Sequence, residues 1–420
     1  MRLPPGPREP RAAQTVEWIA RPTAFLRRCA ARHGEPFTLR THWADAPMVL
    51  VSAPEDVKRV FAAPPEVLRA GGSGSILEPF AGPRSILVLD GEEHVAQRRR
   101  MLPPFHGDRM RERRALVAEL ARAEIASWPR GGAVRTHERM QALTLEVMLR
   151  VVFGSGDPRL RDAIQCALAL TRSAPRLVAM SLGARSGFGA AVRAVDDVLY
   201  EAIAARRADD AARGADDDAR GGAHDREGGA PIVDDLLAAS PSDAEVRDQL
   251  VTLLAAGHET TATALAWAFE RLGRHPDVVA RLPEREYREM VVNEVLRVRP
   301  VLSVAPRKLA APFEVGGWTL PPGVHVAACI YLAHRRADTW GDPHAFRPER
   351  WAHPPPSYAF IPFGGGTRRC LGAAFALMEM EAVLDEAARA GAFKSEPERV
   401  RRRAVTLSPA RGGRIRLGAN

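Results

Sequence analysis

Residues 363–372 read Phe-Gly-Gly-Gly-Thr-Arg-Arg-Cys-Leu-Gly. Three glycines in a row let main chain approach something large and flat. They lead into Cys370, which opens an apolar stretch with helical spacing that ends near Gly391. Free N–H groups and the dipole at the head of a helix favour a thiolate over a thiol. A cysteine by itself is more often a small core residue. A cysteine behind a glycine loop and ahead of a helix is instead a candidate metal ligand.

A second unusual stretch lies upstream. Ser242-Asp243-Ala244-Glu245 has the form of a capping box. A helix is predicted from there to about Gly273, with His275-Pro276 as its stop. Some 30 residues of helix span roughly 45 Å, enough to cross the whole molecule. In its middle stands Ala256-Gly257-His258-Glu259-Thr260-Thr261. An interior glycine costs about 1 kcal/mol relative to alanine, and threonine is stiff at χ1. Poor helix chemistry inside a good helix marks a candidate functional segment.

Two further motifs follow in order. Glu294-Val295-Leu296-Arg297 places opposite charges on one helix face, and Pro348-Glu349-Arg350-Trp351 lies beyond it. Taken together, the motifs resemble those of the cytochromes P-450. Phe363, Gly366, Arg368, Cys370 and Gly372 match every fixed position of that family's F-x-x-G-x-R-x-C-x-G signature. Residues 256–261 match its [A/G]-G-x-[D/E]-T-[T/S] helix motif.

The resemblance implies a mainly α fold with minor β, one domain over residues 1–420, and haem b between the long central helix and the helix after Cys370. Cys370 would be the axial thiolate and metal ligand, with the Gly372 amide donating to its sulfur. Thr260 would hydrogen-bond activated dioxygen in a groove where the helix bulges, and Glu259 would be the acid of the proton relay. His258 falls at a variable position and has no role. His94, Arg98, Arg307 and Arg368 would bind the haem propionates. A Glu294–Arg297–Arg350 network would hold the cysteine loop.

By the same resemblance, the enzyme is a monooxygenase acting on a small hydrophobic substrate: a terpenoid, steroid, fatty acid or polyketide-like molecule. The substrate would be lined by the loop 71–89, the segment 177–188, residues 301–304 and the turn near Leu407–Pro409. Electrons would come from a separate ferredoxin or flavodoxin with its reductase. Arg99, Arg100, Arg369 and Arg347 would lie on the docking face. The Glu259–Thr260 pair argues against a peroxide-driven relative of the same fold and against a haem carrier without turnover.

Composition agrees. The chain has 420 residues, 46% of them hydrophobic, and a formal charge of +9. Its basic residues are spread along the chain without interleaved aromatics, which argues against nucleic acid and suits an acidic protein partner. The four cysteines, Cys29, Cys166, Cys329 and Cys370, form no close pair, as in a reducing cytoplasm. No run of about 20 apolar residues occurs, and the start MRLPPGPREPR lacks a signal-peptide core. A cytoplasmic monomer without a membrane span is expected. Residues 1–15 read as a disordered tail and the charged stretch 209–230 as a mobile surface loop. Helices are expected at 92–102, 109–128, 137–152 and 283–298, with two more within 160–206. A hairpin is expected at 38–51 and short strands at 313–328.

Overall fold

A computed structural model describes residues 2–42, 44–71, 78–105, 109–171, 188–220, 231–240 and 242–418. Its axis is the helix Asp243–Leu272. Residues 246–254 and 261–272 of this helix are buried, so most of its circumference meets protein. The helix Thr136–Phe153 lies along it. Gly257 allows that approach, because a Cβ there would press on the Met148 side chain. The helices Arg109–Ala126, Arg285–Val298 and Ala373–Arg389 pack around the same core.

A five-stranded sheet flanks the helices. Its order is Phe37–Leu39, Met48–Val51, His325–Ala328, Ala305–Leu309 and Leu68–Arg69. The first two strands form the expected hairpin. Met48–Val51 pairs in parallel with His325–Ala328, and the other pairings are antiparallel. A separate hairpin, Val400–Arg403 with Thr406–Pro409, reaches the C-terminal part of the long helix, where the Trp267 indole donates to the Leu407 carbonyl. No helix among the described residues is long and apolar enough to cross a membrane.

Three expectations need correction. Residues 2–10 are not a loose tail. The Thr38 amide donates to the Pro5 carbonyl at 2.9 Å and the Thr38 hydroxyl to Pro4 at 2.7 Å. Gln14 then donates to Pro7 and Glu9. Phe37–Leu39 is an edge strand whose main-chain groups need partners, and the N-terminal segment supplies them. The charged stretch is not all loop either, because the helix Phe188–Arg220 runs through residues 209–220. Alanine and arginine are good helix formers, and extending an existing helix needs no new nucleus. Residues 221–230 lie outside the described residues. Finally, Ser242 occupies the N-cap of the long helix, but its side chain makes no capping bond.

Arg297 and Glu294 are fully buried and hold much of this architecture together. Glu294 accepts two bonds from Arg297, at 2.7 and 2.9 Å. It also accepts from Arg350 at 3.1 Å, the Trp351 indole at 3.0 Å and the Arg347 amide at 2.9 Å. The remaining Arg297 donors reach the carbonyls of His334, Pro343 and Ala345. Arg350 adds the carbonyls of Trp340 and Asp342. One helix is thereby fastened to the irregular chain that leads into the cysteine loop.

Candidate active site

The cysteine loop owes its shape to glycine, for a reason additional to the expected one. Gly364 and Gly366 have φ of 67° and 66°, a region costly for other residues. A Cβ on Gly365 would collide with the Phe61 ring, and one on Gly366 with the Phe61 carbonyl. Part of the close approach read from the sequence is therefore to Phe61 of the helix Pro54–Ala62. The Cys370 amide donates to the Phe363 carbonyl at 2.9 Å and closes the loop.

Cys370 lies deep among protein atoms yet keeps an accessible face. Burial raises its pKa above the usual thiol value. The Gly372 amide, Arg98 and Arg369 pull it down, but burial wins. The helix proper begins at Ala373, with Gly372 at its N-cap. The helix head therefore does not by itself make a thiolate. Ligation of a metal cation favours the thiolate and opposes this effect of burial.

His94, Arg307 and Arg368 line one narrow cavity with Phe61, Asp90 and Gly365. Arg98 stands one turn from His94 and donates to the Arg369 carbonyl at 2.7 Å. Burial, then Arg368 and Arg98, drive the His94 pKa down to about 4. Burial and Arg368 also lower that of Arg307, to about 10. Asp90 offsets part of this charge and was missed in the sequence. It bonds the Ala70 and Gly71 amides at 2.9 and 2.8 Å and pairs with Arg368. Its only sequence signal is its place just ahead of the helix Gly91–Met101. Arg368 also donates to the Ile86 and Leu89 carbonyls. Arg307 and Arg368 beside Asp90, with Arg98 near Arg368, form a partly buried cationic cradle, and such a cradle suits a cofactor carrying two carboxylates.

Past its first turn, the long helix loses burial at residues 255–257 and 259–260, while His258 stays buried. The expected bulge is not seen: the helix is α throughout. Several of its carbonyls are bonded by side-chain hydroxyls, a pattern that tends to bend helices. Thr260 donates to the Ala256 carbonyl at 2.7 Å, Thr261 to Gly257 at 3.2 Å, and Thr144 to His258 at 3.0 Å. Glu259 turns toward the neighbouring helix, where the Gln141 amide donates to it at 2.5 Å and His137 Nε2 stands 3.6 Å away. Gln141 and His137 were also missed, because a polar residue in an amphipathic helix carries no local mark of its partner. Of the expected substrate-lining segments, residues 72–77 and 172–187 lie outside the described residues. Phe80 is buried, Leu87 is exposed, and Leu302 bridges to Thr406 of the hairpin.

Glu379, on the helix Ala373–Arg389, is fully buried, and neither carboxyl oxygen has a well-formed hydrogen bond. Burial pushes its pKa up to about 8. The nearby Thr261 hydroxyl opposes this only weakly, being bonded to Gly257. Folding thus raises this pKa from 4.5. The full stability is present below pH 4.5, where both states hold the proton. It falls as pH rises toward 8, by about 1.4 kcal/mol per pH unit at most, while only the unfolded chain ionises. Glu379→Gln should flatten that decline. Urea midpoints at pH 5, 6.5 and 8 will check this; parallel curves for variant and parent would refute it.

A cysteine at a glycine loop with a cationic cradle beside it fits a haem-thiolate site. Comparison with known proteins agrees. The family model "Cytochrome P450" matches residues 4–389. Putative cytochrome P450 135B1 of Mycobacterium tuberculosis is 38% identical, covering 100% of this chain and 92% of that protein. Putative cytochrome P450 138 of the same species is 35% identical, covering 99% and 96%. Among solved structures, retinoic acid-bound cyanobacterial CYP120A1 superposes with a TM-score of 0.81 at 23% identity, over 96% of each chain. A six-coordinated cytochrome P450 from Thermus thermophilus gives 0.75 at 28% identity, over 94% of this chain and 98% of that one. The chain belongs to the cytochrome P450 family. It is a haem-thiolate monooxygenase, with Cys370 as the axial ligand.

Proposed function

We propose that the enzyme inserts one oxygen atom of dioxygen into a small, largely apolar molecule such as a terpenoid, steroid, fatty acid or polyketide-like compound. Two electrons come from a separate ferredoxin or flavodoxin with its reductase. The observation that carries this reading is the pairing of Thr260, on the open part of an otherwise buried helix, with Glu259 beside it. When bound, the haem supplies dioxygen binding and reductive cleavage, favoured by electron donation from the thiolate. His94, Arg98, Arg307 and Arg368 hold the cofactor carboxylates. Gly372 donates to the Cys370 sulfur and tempers its charge.

The second oxygen atom leaves as water, so two protons must reach the site. Glu259 supplies protons from the side of the helix Thr136–Phe153. Thr260 passes them on by exchanging its bond to the Ala256 carbonyl for one toward the cavity. Arg99, Arg100 and Arg369, exposed beside cofactor-binding residues, with Arg347 nearby, suit an acidic electron donor approaching the cysteine side. The protein acts as a cytoplasmic monomer. Thr260→Ala tests the reading in a ferredoxin-driven reaction. Haem binding and NADPH consumption should persist, peroxide should rise, and productive turnover should fall about 10²-fold. Unchanged coupling would place the relay elsewhere.

A further inference from the structure

Glu259 is flanked by two side chains one turn apart on the helix Thr136–Phe153: Gln141 donates to Oε2, and His137 Nε2 lies 3.6 Å from Oε1, an ion-pair rather than a hydrogen-bond distance. His137 is fully buried. Its main chain is pinned, since its amide donates to the Gly412 carbonyl at 2.9 Å and the Thr136 hydroxyl donates to Gly413 at 2.6 Å. The two imidazole nitrogens face different groups. Nδ1 lies 3.3 Å from Nη1 of Arg403, the last residue of the strand Val400–Arg403. Nε2 lies 3.2 Å from the Thr263 hydroxyl and 3.6 Å from Glu259 Oε1.

The chemistry of these neighbours settles the proton. A guanidinium has donors and no acceptor. The nitrogen facing Arg403 must therefore offer a lone pair, which leaves the proton on Nε2, pointing at Thr263 and Glu259. An imidazolium would set N–H against N–H and cation against cation in a buried site. It would also sit at the positive end of a helix dipole. We propose that His137 is the positioning residue for Glu259, held by Arg403 as the neutral imidazole with its proton on Nε2.

The arrangement has a purpose. A cation directly on a carboxylate favours the charged form and makes a poor acid. A neutral N–H that faces the carboxyl across 3.6 Å limits where it can turn while favouring its charge far less. Arg403 acts one step removed, through the ring. It also stands beside Ala404, whose φ is 48°, at the turn of the hairpin that contacts residues 301–302. The inference rests on the reading of Glu259 as the relay acid.

Two measurements test it. The first needs no turnover. In the reduced, CO-bound protein labelled with 15N-histidine, the resonance assigned by its loss in His137→Gln should show a protonated Nε2 and a bare Nδ1. Arg403→Gln should weaken that preference. A protonated Nδ1 in the parent would overturn the proposal. The second is the share of NADPH electrons appearing as peroxide in a ferredoxin-driven reaction, with dodecanoic acid as the apolar probe. This share is measurable whether or not the probe is hydroxylated. Glu259→Gln and His137→Leu should both raise peroxide at the expense of the other reduction products, whose yield should fall roughly tenfold. His137→Gln, which keeps an N–H near the Nε2 position, should restore most of the loss. If Glu259→Gln changes nothing, the relay reading falls. If it uncouples the enzyme while His137→Leu does not, or His137→Gln gives no rescue at normal haem content, the positioning role is refuted.

Discussion

Cys370→Ala is expected to yield a protein whose reduced, CO-bound form lacks the red-shifted Soret band of thiolate ligation, with monooxygenase activity lost altogether. The reason is geometric as well as chemical. Cys370 is the cysteine that stands at the glycine loop, beside Arg98 and Arg369. Cys29 and Cys329 are buried in the sheet-side core, where desolvation pushes the Cys29 thiol up to about 11 and that of Cys329 higher still. Cys166 is exposed on the helix Pro158–Thr171. None of them can take over the ligand position. The Gly364 and Gly366 turns and the Cys370 amide bond to Phe363 do not depend on the sulfur, so the variant should fold. A CO difference spectrum on protein of matched circular dichroism separates loss of the ligand from loss of the fold. Persistence of the thiolate band in the variant would overturn the assignment.

Arg297→Leu is expected to cost about 3–5 kcal/mol, the usual penalty when one partner leaves a buried ion pair. Glu294 would remain fully buried and charged, with Arg350 as its remaining ionic partner, and the carbonyls of His334, Pro343 and Ala345 would lose their donor. Arg297→Lys should recover only part of this, because an ammonium cannot span the fork of two carboxylate bonds plus three carbonyls. The damage should reach the cofactor as well, since the chain fastened by Arg297 and Arg350 leads into residues 363–372. Thermal unfolding and haem content of purified protein measure both effects. A melting temperature within a degree of the parent would show that the network is dispensable.

What could be read from the sequence had its chemistry written into contiguous residues. The cysteine loop, the Ala256–Thr261 segment and the Glu294–Arg297 pair each combine residue types that make little sense as ordinary helix or turn. Asp90, Gln141 and His137 escaped notice because each works through partners tens or hundreds of residues away, and none is unusual beside its neighbours. The N-terminal segment was misjudged because its binding is through main-chain carbonyls, which side-chain polarity does not report. Residues 209–220 were misjudged because poverty in apolar groups argues against packing, while a helix already under way needs none. Gly257 shows a mixed case: its poor helix propensity did mark an important place, but part of its cause is contact with Met148.

The loop 82–90 gives the site a property that neither wall has alone. On one side, Arg368 grips the Ile86 and Leu89 carbonyls and Asp90. On the other, the Arg84 amide is bonded to Asp248, the Ser85 hydroxyl to Thr252 and the Ile86 amide to Gln249, all on the long helix. The loop is thus a strap sewn to both jaws of a vice. The opening of the vice is set by protein-to-protein stitches, and the cysteine side cannot shift without tugging on the helix that faces it.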